Sequence, residues 1–245
     1  MDETVVLEEL ERWKRKMRKR QSLTGRYAKK WQTKMNTYVP EKIHSIVTTS
    51  IKHMVHATLV GSEYTSKKEP VTGLSFVERE ENVRQLIKRY KRTAALEGAG
   101  TGAGGFLLGV ADFPLLLSIK MKFLFDTASQ YGFDVRDYRE RLFVLLLFQL
   151  AFTSEEKRLE LLERLENWER ERELLPDKEA YLADVDWRSF QINYRDYIDL
   201  PKMLQLIPGF GAIVGATANY RFLDLLGETA MNGYRIRWFE SKKRS

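Results

Sequence analysis

The chain contains no cysteine among its 245 residues, which excludes disulfide bonds and thiolate metal sites. His53 and His56 share a helical face at i and i+3, but no His-Glu-x-x-His motif or carboxylate cluster accompanies them. Strand signals are also scarce, because no β-branched alternation is sustained and no Asn-Gly hairpin turn is present. The sequence therefore predicts an all-α, multi-helix globular bundle with no metal site and no cofactor.

The N-terminus lacks an apolar segment ahead of a cleavage site, so we expect no secretory signal. This predicts a cytosolic protein or one on the cytosolic side of a membrane. No Ser/His/Asp or lysine-based nucleophile arrangement is visible by spacing, and the sequence predicts no catalytic residue. Because the members of such triads are dispersed along chains, an enzymatic activity stays open.

Acidic residues are few in the N-terminal part. Residues 1–92 contain 21 Lys/Arg and 11 Asp/Glu, whereas residues 93–245 contain 20 and 23. Eleven basic residues and no acid lie in 12–34. This asymmetry predicts an anionic partner for the N-terminal part, either a membrane surface or a nucleic acid.

Apolar residues recur at helical spacing along most of the chain. Two capping boxes, Ser75-x-x-Glu78 and Thr153-x-x-Glu156, mark predicted helix starts. Pro114 precedes a predicted apolar helix that ends near Tyr131-Gly132. We expect a loop over 61–73 and partly irregular structure over 176–201. The other predicted helices cover 3–20, 41–60, 75–96, 141–152, 153–175 and 202–239.

Glycine is concentrated in the segment 97–119, EGAGTGAGGFLLGVADFPLLLSI, where six glycines fall within twelve residues. The segment formally matches G-x-G-x-x-G, but a charged helical pattern precedes it instead of a hydrophobic strand. The tripeptide Gly-Lys-Ser/Thr of a P-loop is absent. Nucleotide binding is therefore disfavoured.

The same segment contains pairs of small residues four positions apart, and 211–215 repeats the pattern. Such pairs let two helix backbones approach closely. Two interpretations stay open: tight packing inside a soluble core, or a hairpin that is embedded in or dips into a membrane. Asp112 and Pro114 disfavour a spanning helix, since an acid at mid-bilayer costs about 2.5–3.5 kcal/mol. The predicted helix-packing glycines are Gly98, Gly102, Gly105, Gly109, Gly211 and Gly215.

Polar residues interrupt the apolar helices at Asp112, Gln149 and Asn219. A buried carboxylate or amide needs partners, so these positions indicate either a satisfied core network or a pocket. Arg221, two residues after Asn219, is a candidate partner for Asp112 if the two glycine segments face each other. These four residues are the candidate pocket residues.

The basic stretch 12–34 combines cations with Trp13 and Trp31. Long basic side chains around aromatic rings suit an anionic membrane interface, while a solvated helix face with its aromatics in the core is the alternative. No helix-turn-helix, zinc-finger or RNP signature is present, which disfavours nucleic acid. The predicted membrane- or partner-binding residues are Arg12, Trp13, Lys14, Arg15, Lys16, Arg18, Lys19, Arg20, Lys29, Lys30 and Trp31.

Three segments, 38–65, 97–134 and 207–239, together resemble the EcsC family of bacteria. Asp112-Phe-Pro114, the Tyr131-Gly132 pair and a late Pro-x-x-Gly followed by Asn219 carry the resemblance. It implies a relation to proteins encoded beside the ATPase and membrane subunits of an ABC exporter that is linked to secretion and protein processing. The family offers no established catalytic set, so the resemblance assigns no catalytic residue.

Two functions compete on this sequence. The first is a non-enzymatic accessory protein at the cytoplasmic membrane face, with ABC transporter subunits or an anionic membrane surface as its partner. Its basic, amphipathic helical region would cover residues 1–36, and an EcsC-like helical domain residues 37–245. The second is a soluble enzyme or a small-ligand or lipid-binding protein with an apolar pocket near Asp112.

Overall fold

The computed structural model describes residues 2–19, 41–61, 69–101, 113–199 and 216–244. Within these ranges all regular elements are α-helices, and one isolated antiparallel bridge joins Thr153 to Ile198. The predicted all-α, multi-helix fold is confirmed. The helices are α1 (Glu3–Arg18), α2 (Glu41–Val60), α3 (Phe76–Thr101), α4 (Phe113–Gln130), α5 (Tyr138–Phe152), α6 (Glu155–Glu166), α7 (Trp168–Glu173), α8 (Lys178–Asp184), α9 (Trp187–Asp196) and α10 (Ala216–Arg244).

Local signals place most helix starts correctly. The capping box before α3 is present, because the Ser75 N–H donates to Glu78 Oε2 at 2.8 Å and the Glu78 N–H donates to Ser75 Oγ at 3.3 Å. α3 runs beyond the predicted end at residue 96 and includes Gly98. α1 begins after Asp2, whose side chain accepts from the Thr4 N–H.

The second capping box was predicted wrongly. The N-cap of α6 is Ser154 instead of Thr153, and Ser154 makes no side-chain cap hydrogen bond. The predicted single helix over 153–175 is also divided, since Asn167 ends α6 and precedes α7. The segment 176–201, expected to be partly irregular, contains α8 and α9, each with an aspartate as N-cap.

α10 is the central helix of the described fold and contacts α1, α3, α4, α5 and α6. It lies antiparallel to α3, because Lys91 pairs with Asp224 at one end of the contact and Glu80 with Arg235 at the other. Small residues permit this packing. A Cβ on Gly227 would lie 3.0 Å from Ile87 Cδ1, and a Cβ on Gly233 would overlap Leu147 Cδ2.

The end of α4 is fixed by Gly132, which has a φ of +89°. The Gly132 N–H donates to the Ser129 carbonyl and the Phe133 N–H to the Ala128 carbonyl, which is the Schellman pattern. Arg79 fills the space beside Gly132 and donates to the carbonyls of Val71, Leu74 and Gln130. This turn therefore joins the start of α3 to the end of α4.

We expect Gly132→Ala to lower the free energy of unfolding by about 2–3 kcal/mol. A side chain at positive φ costs roughly 1–2 kcal/mol, and the new Cβ would displace Arg79 and weaken its hydrogen bonds. Gly73→Ala is the matched control, because Gly73 has a φ of +76° but nothing lies within 4 Å of its added Cβ. Equal losses for both variants in urea unfolding would contradict the role given to Arg79.

Candidate functional site

Two buried carboxylates are bound by arginines of α10. Glu80, on α3, is 1% exposed and accepts from Arg235 Nε at 3.0 Å and Arg235 Nη2 at 2.7 Å. The Tyr131 hydroxyl donates to Glu80 Oε1 at 2.5 Å. Arg235 also donates to Glu9 at 2.8 Å, which connects α1 to this cluster. Glu80 is thus neutralised and its acceptors are occupied.

The second cluster repeats this chemistry two residues further along α10. Glu140, at the start of α5 and 3% exposed, accepts from Arg237 Nη1 at 2.6 Å and from the Tyr234 hydroxyl at 2.7 Å. Arg237 Nε donates to Glu169 at 2.5 Å, and the Arg237 guanidinium lies 3.7 Å from the centre of the Phe133 ring. The rings of Tyr131 and Tyr234 stack at 5.0 Å and join the two clusters.

These clusters have the chemistry of structural ion pairs. Burial raises the pKa of the Tyr131 and Tyr234 phenols well above the ordinary value, and the charges of Glu80 and Glu140 raise them further. Both phenols therefore stay protonated and donate to carboxylates that are already paired with arginine. Among the described residues no group of three His, Asp or Glu side chains is arranged to hold a metal ion.

The predicted N-terminal site residues divide into a buried and an exposed set. Trp13 is 4% exposed and packs in the core with Val6 and Leu10. At this position the structure matches the alternative interpretation, in which the helix face is solvated and its aromatic residues lie in the core. Arg12, Arg15, Lys16, Arg18 and Lys19 are exposed, and Lys14 is half-buried.

Pairing differs among these α1 cations. Lys16 pairs with Glu228 at 3.0 Å, Arg18 pairs with Glu166 at 2.7 Å, and Lys14 lies 3.4 Å from Glu166. Arg12 and Arg15 have no acidic partner in the part of the chain that the structure describes. Lys19 lies at the end of α1, and its backbone carbonyl accepts a hydrogen bond from Arg158. The Lys19 side chain is exposed.

Several predicted site residues lie outside the described residues. Of the remaining ones, Gly98 lies in α3, Asn219 lies in α10, and Arg221 is an exposed residue of α10. The predicted pairing of Arg221 with Asp112 and the predicted glycine packing stay predictions. The residues outside are Arg20, Lys29, Lys30, Trp31, Gly102, Gly105, Gly109, Asp112, Gly211 and Gly215.

Gln149 borders a cleft of about 640 Å³ between α5, α7 and α9. Its Nε2 donates to the Tyr194 carbonyl at 3.1 Å, and the Tyr194 hydroxyl donates to the Leu145 carbonyl at 3.0 Å. Leucines of α5 and the Phe190 ring supply apolar walls, and Lys157 and Arg164 lie at the border. Of the four candidate pocket residues, Gln149 is therefore placed at a cleft that a small amphipathic molecule could enter.

A second surface feature was missed by the sequence analysis. Lys88, Arg89 and Arg92 line a groove of about 740 Å³ between α3 and α4. The signal was present, since Arg84, Lys88, Arg89, Lys91 and Arg92 fall between Glu81 and Glu97 with no acid among them. From the sequence alone, the segment indicates only a charged helix.

None of the helices within the described ranges combines the length and the apolar character that crossing a bilayer requires. The model of the EcsC protein family matches residues 4–239. The chain belongs to this family. It is 48% identical to Protein EcsC of Bacillus subtilis strain 168 over 236 residues, and this alignment covers 96% of each of the two chains.

A further relative in the same organism, the uncharacterized protein YdbA, is 31% identical over 150 residues, or 61% of this chain and 54% of that protein. No solved structure matches this chain. The EcsC family match begins within α1 and ends within α10, so both helices that carry the Glu9–Arg235 contact belong to the matched region.

We expect the protein to lose stability steeply above pH 10. Tyr131, Tyr194 and Tyr234 have raised pKa values in the folded state, mainly because of burial. Unfolded tyrosine ionises near pH 10, so above that pH the unfolded state binds fewer protons and unfolding becomes more favourable. Each buried tyrosine should contribute about 1.4 kcal/mol per pH unit.

Tyr194→Phe tests this expectation, since the Tyr194 phenol contacts only a backbone carbonyl. At pH 8 the variant should be less stable by about 1 kcal/mol, from the lost hydrogen bond. Between pH 10 and 11 it should lose about 1 kcal/mol less than the wild type, because the unfolded phenol is already half ionised at pH 10. Urea unfolding followed by circular dichroism measures both, and parallel curves for the two proteins would contradict the assignment.

Proposed function

We propose that this protein is a non-enzymatic accessory protein that acts at the cytoplasmic face of the cell membrane. The observation that carries the proposal is the row of exposed α1 cations, of which Arg12 and Arg15 lack an acidic partner among the described residues. Each Lys or Arg near an anionic lipid surface contributes about 1 kcal/mol of attraction. An ABC transporter as partner follows from what the EcsC family resemblance implies.

The packing of α1 supports attachment by charge. Val6, Leu10 and Trp13 are buried in the core, so the apolar face that they form is already covered, and of the large apolar side chains of α1 only Val5 and Leu7 are exposed. A helix that inserts into a lipid interface needs that face free. The exposed face of α1 offers ammonium and guanidinium groups, whose attraction to anionic lipids is screened by salt.

The buried titratable groups support a role without catalysis. Glu80 and Glu140 are each held by an arginine and a tyrosine. A general base must reach a reacting proton, whereas these carboxylates are 1% and 3% exposed and are paired with arginine.

Sedimentation with lipid vesicles tests the proposed attachment. The full chain should pellet with anionic vesicles at low salt, and raised salt should release it. The triple variant Arg12→Gln/Arg15→Gln/Lys19→Gln should bind about 100-fold more weakly, because it removes three exposed cations. Binding that resists salt but yields to detergent would contradict electrostatic attachment.

A charge-matched variant controls for net charge. Arg170→Gln/Lys178→Gln/Arg188→Gln removes the same charge from α7, α8 and α9, at positions without a described ion pair. If this control weakens vesicle binding as much as the α1 variant does, α1 is not the attachment face. Full recovery of the wild-type chain in the supernatant at low salt, with and without the transporter, would contradict the membrane role itself.

The cleft at Gln149 favours a second candidate function, the binding of a small amphipathic ligand. Asn193→Trp, at the border of the cleft, should reduce binding of the fluorescent probe 1-anilinonaphthalene-8-sulfonate at least several-fold, because the indole would fill part of the 640 Å³. Ile192→Trp, on the neighbouring and exposed position of α9, is the control. Equal probe binding by wild type and both variants would argue against a ligand in this cleft.

A further inference from the structure

The groove between α3 and α4 has a basic lining. Lys88, Arg89 and Arg92 lie along its α3 side, and Asp126 and Gln130 of α4 lie opposite. All three basic side chains are exposed, and none has an acidic partner among the residues that the structure describes. Lys88 and Arg92 are four residues apart on one helix, where like charges repel each other.

The carboxylate in the groove does not neutralise these cations. Asp126 is buried and accepts from the Tyr90 hydroxyl at 2.8 Å and from Lys122 Nζ at 3.1 and 3.2 Å. Lys122 supplies the compensating charge. The groove therefore keeps a surplus of about three positive charges at neutral pH.

Pairing along α3 depends on the direction in which each cation faces. Arg84 and Lys91 face α1 and α10, where Arg84 pairs with Glu9 at 2.9 Å and Lys91 pairs with Asp224. The cations that face the groove have no acidic partner within the described ranges, since Asp126 is paired with Lys122. One set of basic residues on α3 thus forms ion pairs within the fold, and the other set is available to bind an external anion.

The groove also has neutral hydrogen-bond donors. Asn82 and Gln130 place half-buried amides on its opposite sides. Guanidinium groups bind phosphate oxygens in a bidentate manner, and amide N–H groups can complete the coordination of a phosphate. The volume of about 740 Å³ exceeds that of one phosphate and lies in the range of sites for small molecules.

We propose that this α3–α4 groove binds the headgroup of an anionic phospholipid that carries at least two negative charges. The inference rests on the proposed membrane-face function and gives it a second, lipid-selective contact. α1 attracts any anionic surface, whereas the groove selects a headgroup whose phosphates reach Arg89 and Arg92 together. Cardiolipin, with two phosphates, has the required charge.

The test compares cardiolipin vesicles with phosphatidylglycerol vesicles of equal total charge. The wild-type chain should prefer cardiolipin. Arg89→Gln/Arg92→Gln should weaken cardiolipin binding about 30-fold and abolish the preference. Arg12→Gln/Arg15→Gln, with the same loss of charge on α1, should weaken binding to both vesicles and keep the preference. Arg89→Lys/Arg92→Lys keeps the charge without the bidentate geometry and should give an intermediate preference.

Each contrary outcome is distinguishable. Equal binding of both vesicles by the wild type, or a preference that survives in Arg89→Gln/Arg92→Gln, would overturn the headgroup site and leave the membrane role intact. Absence of binding to either vesicle would overturn both. Calorimetric titration with pyrophosphate separates the sources: pyrophosphate binding that requires Arg89 and Arg92, without vesicle binding, would assign the groove to a soluble phosphorylated ligand. Far-ultraviolet circular dichroism of each variant confirms that it is folded.

Discussion

The fold depends on two buried ion pairs that project from opposite sides of one helix. Arg235 and Arg237 are two residues apart, so they point about 200° apart around α10. One meets Glu80 of α3 and the other meets Glu140 of α5. Taking each ion out of water costs several kcal/mol, and removing one partner of such a pair typically costs 3–5 kcal/mol because a charge is left buried and alone. A shift of α10 relative to α3 or α5 would therefore leave a buried charge without its partner.

The same electrostatics separates cations that are paired within the fold from cations that have no acidic partner among the described residues. Acidic side chains near the core pair with cations that face inward. Glu9 pairs with Arg84 and Arg235, and Glu169 pairs with Arg237. Arg235 and Arg84 also hold the pKa of the Glu9 carboxyl below its ordinary value, against the opposing effect of burial. The contact between α1 and the core therefore includes an ionised carboxylate. Other cations at the surface, Arg12, Arg15, Lys88, Arg89 and Arg92, have no acidic partner among the described residues, and these are the groups that an anionic membrane would meet.

The sequence predicted the features that local chemistry decides. The capping box at Ser75 and the helix predicted over 141–152 are determined within a few residues, and both are present. Asn167 divides the helix predicted over 153–175, although the helical spacing and the charge pairs continue across this position. The Glu80–Arg235 pair was missed, because its members are 155 positions apart and each looks like a surface residue when only neighbours are considered. The groove at Lys88 was missed for the related reason that a basic run looks the same whether or not tertiary contacts supply acids.

The position of α1 restricts how a membrane-face protein of this kind would sit. Arg12 and Lys16 line a cleft of about 540 Å³ together with Arg84 of α3, and Lys88 follows Arg84 by one helical turn. Lys88, which lines the α3–α4 groove, is thus one helical turn from a residue of the cleft that Arg12 and Lys16 line. If an anionic surface that approaches α1 also reaches Lys88, it brings lipid headgroups near α3 as well. Weak, unselective attraction by α1 would then raise the local concentration of headgroups at the groove. A higher local concentration increases the occupancy of a selective site.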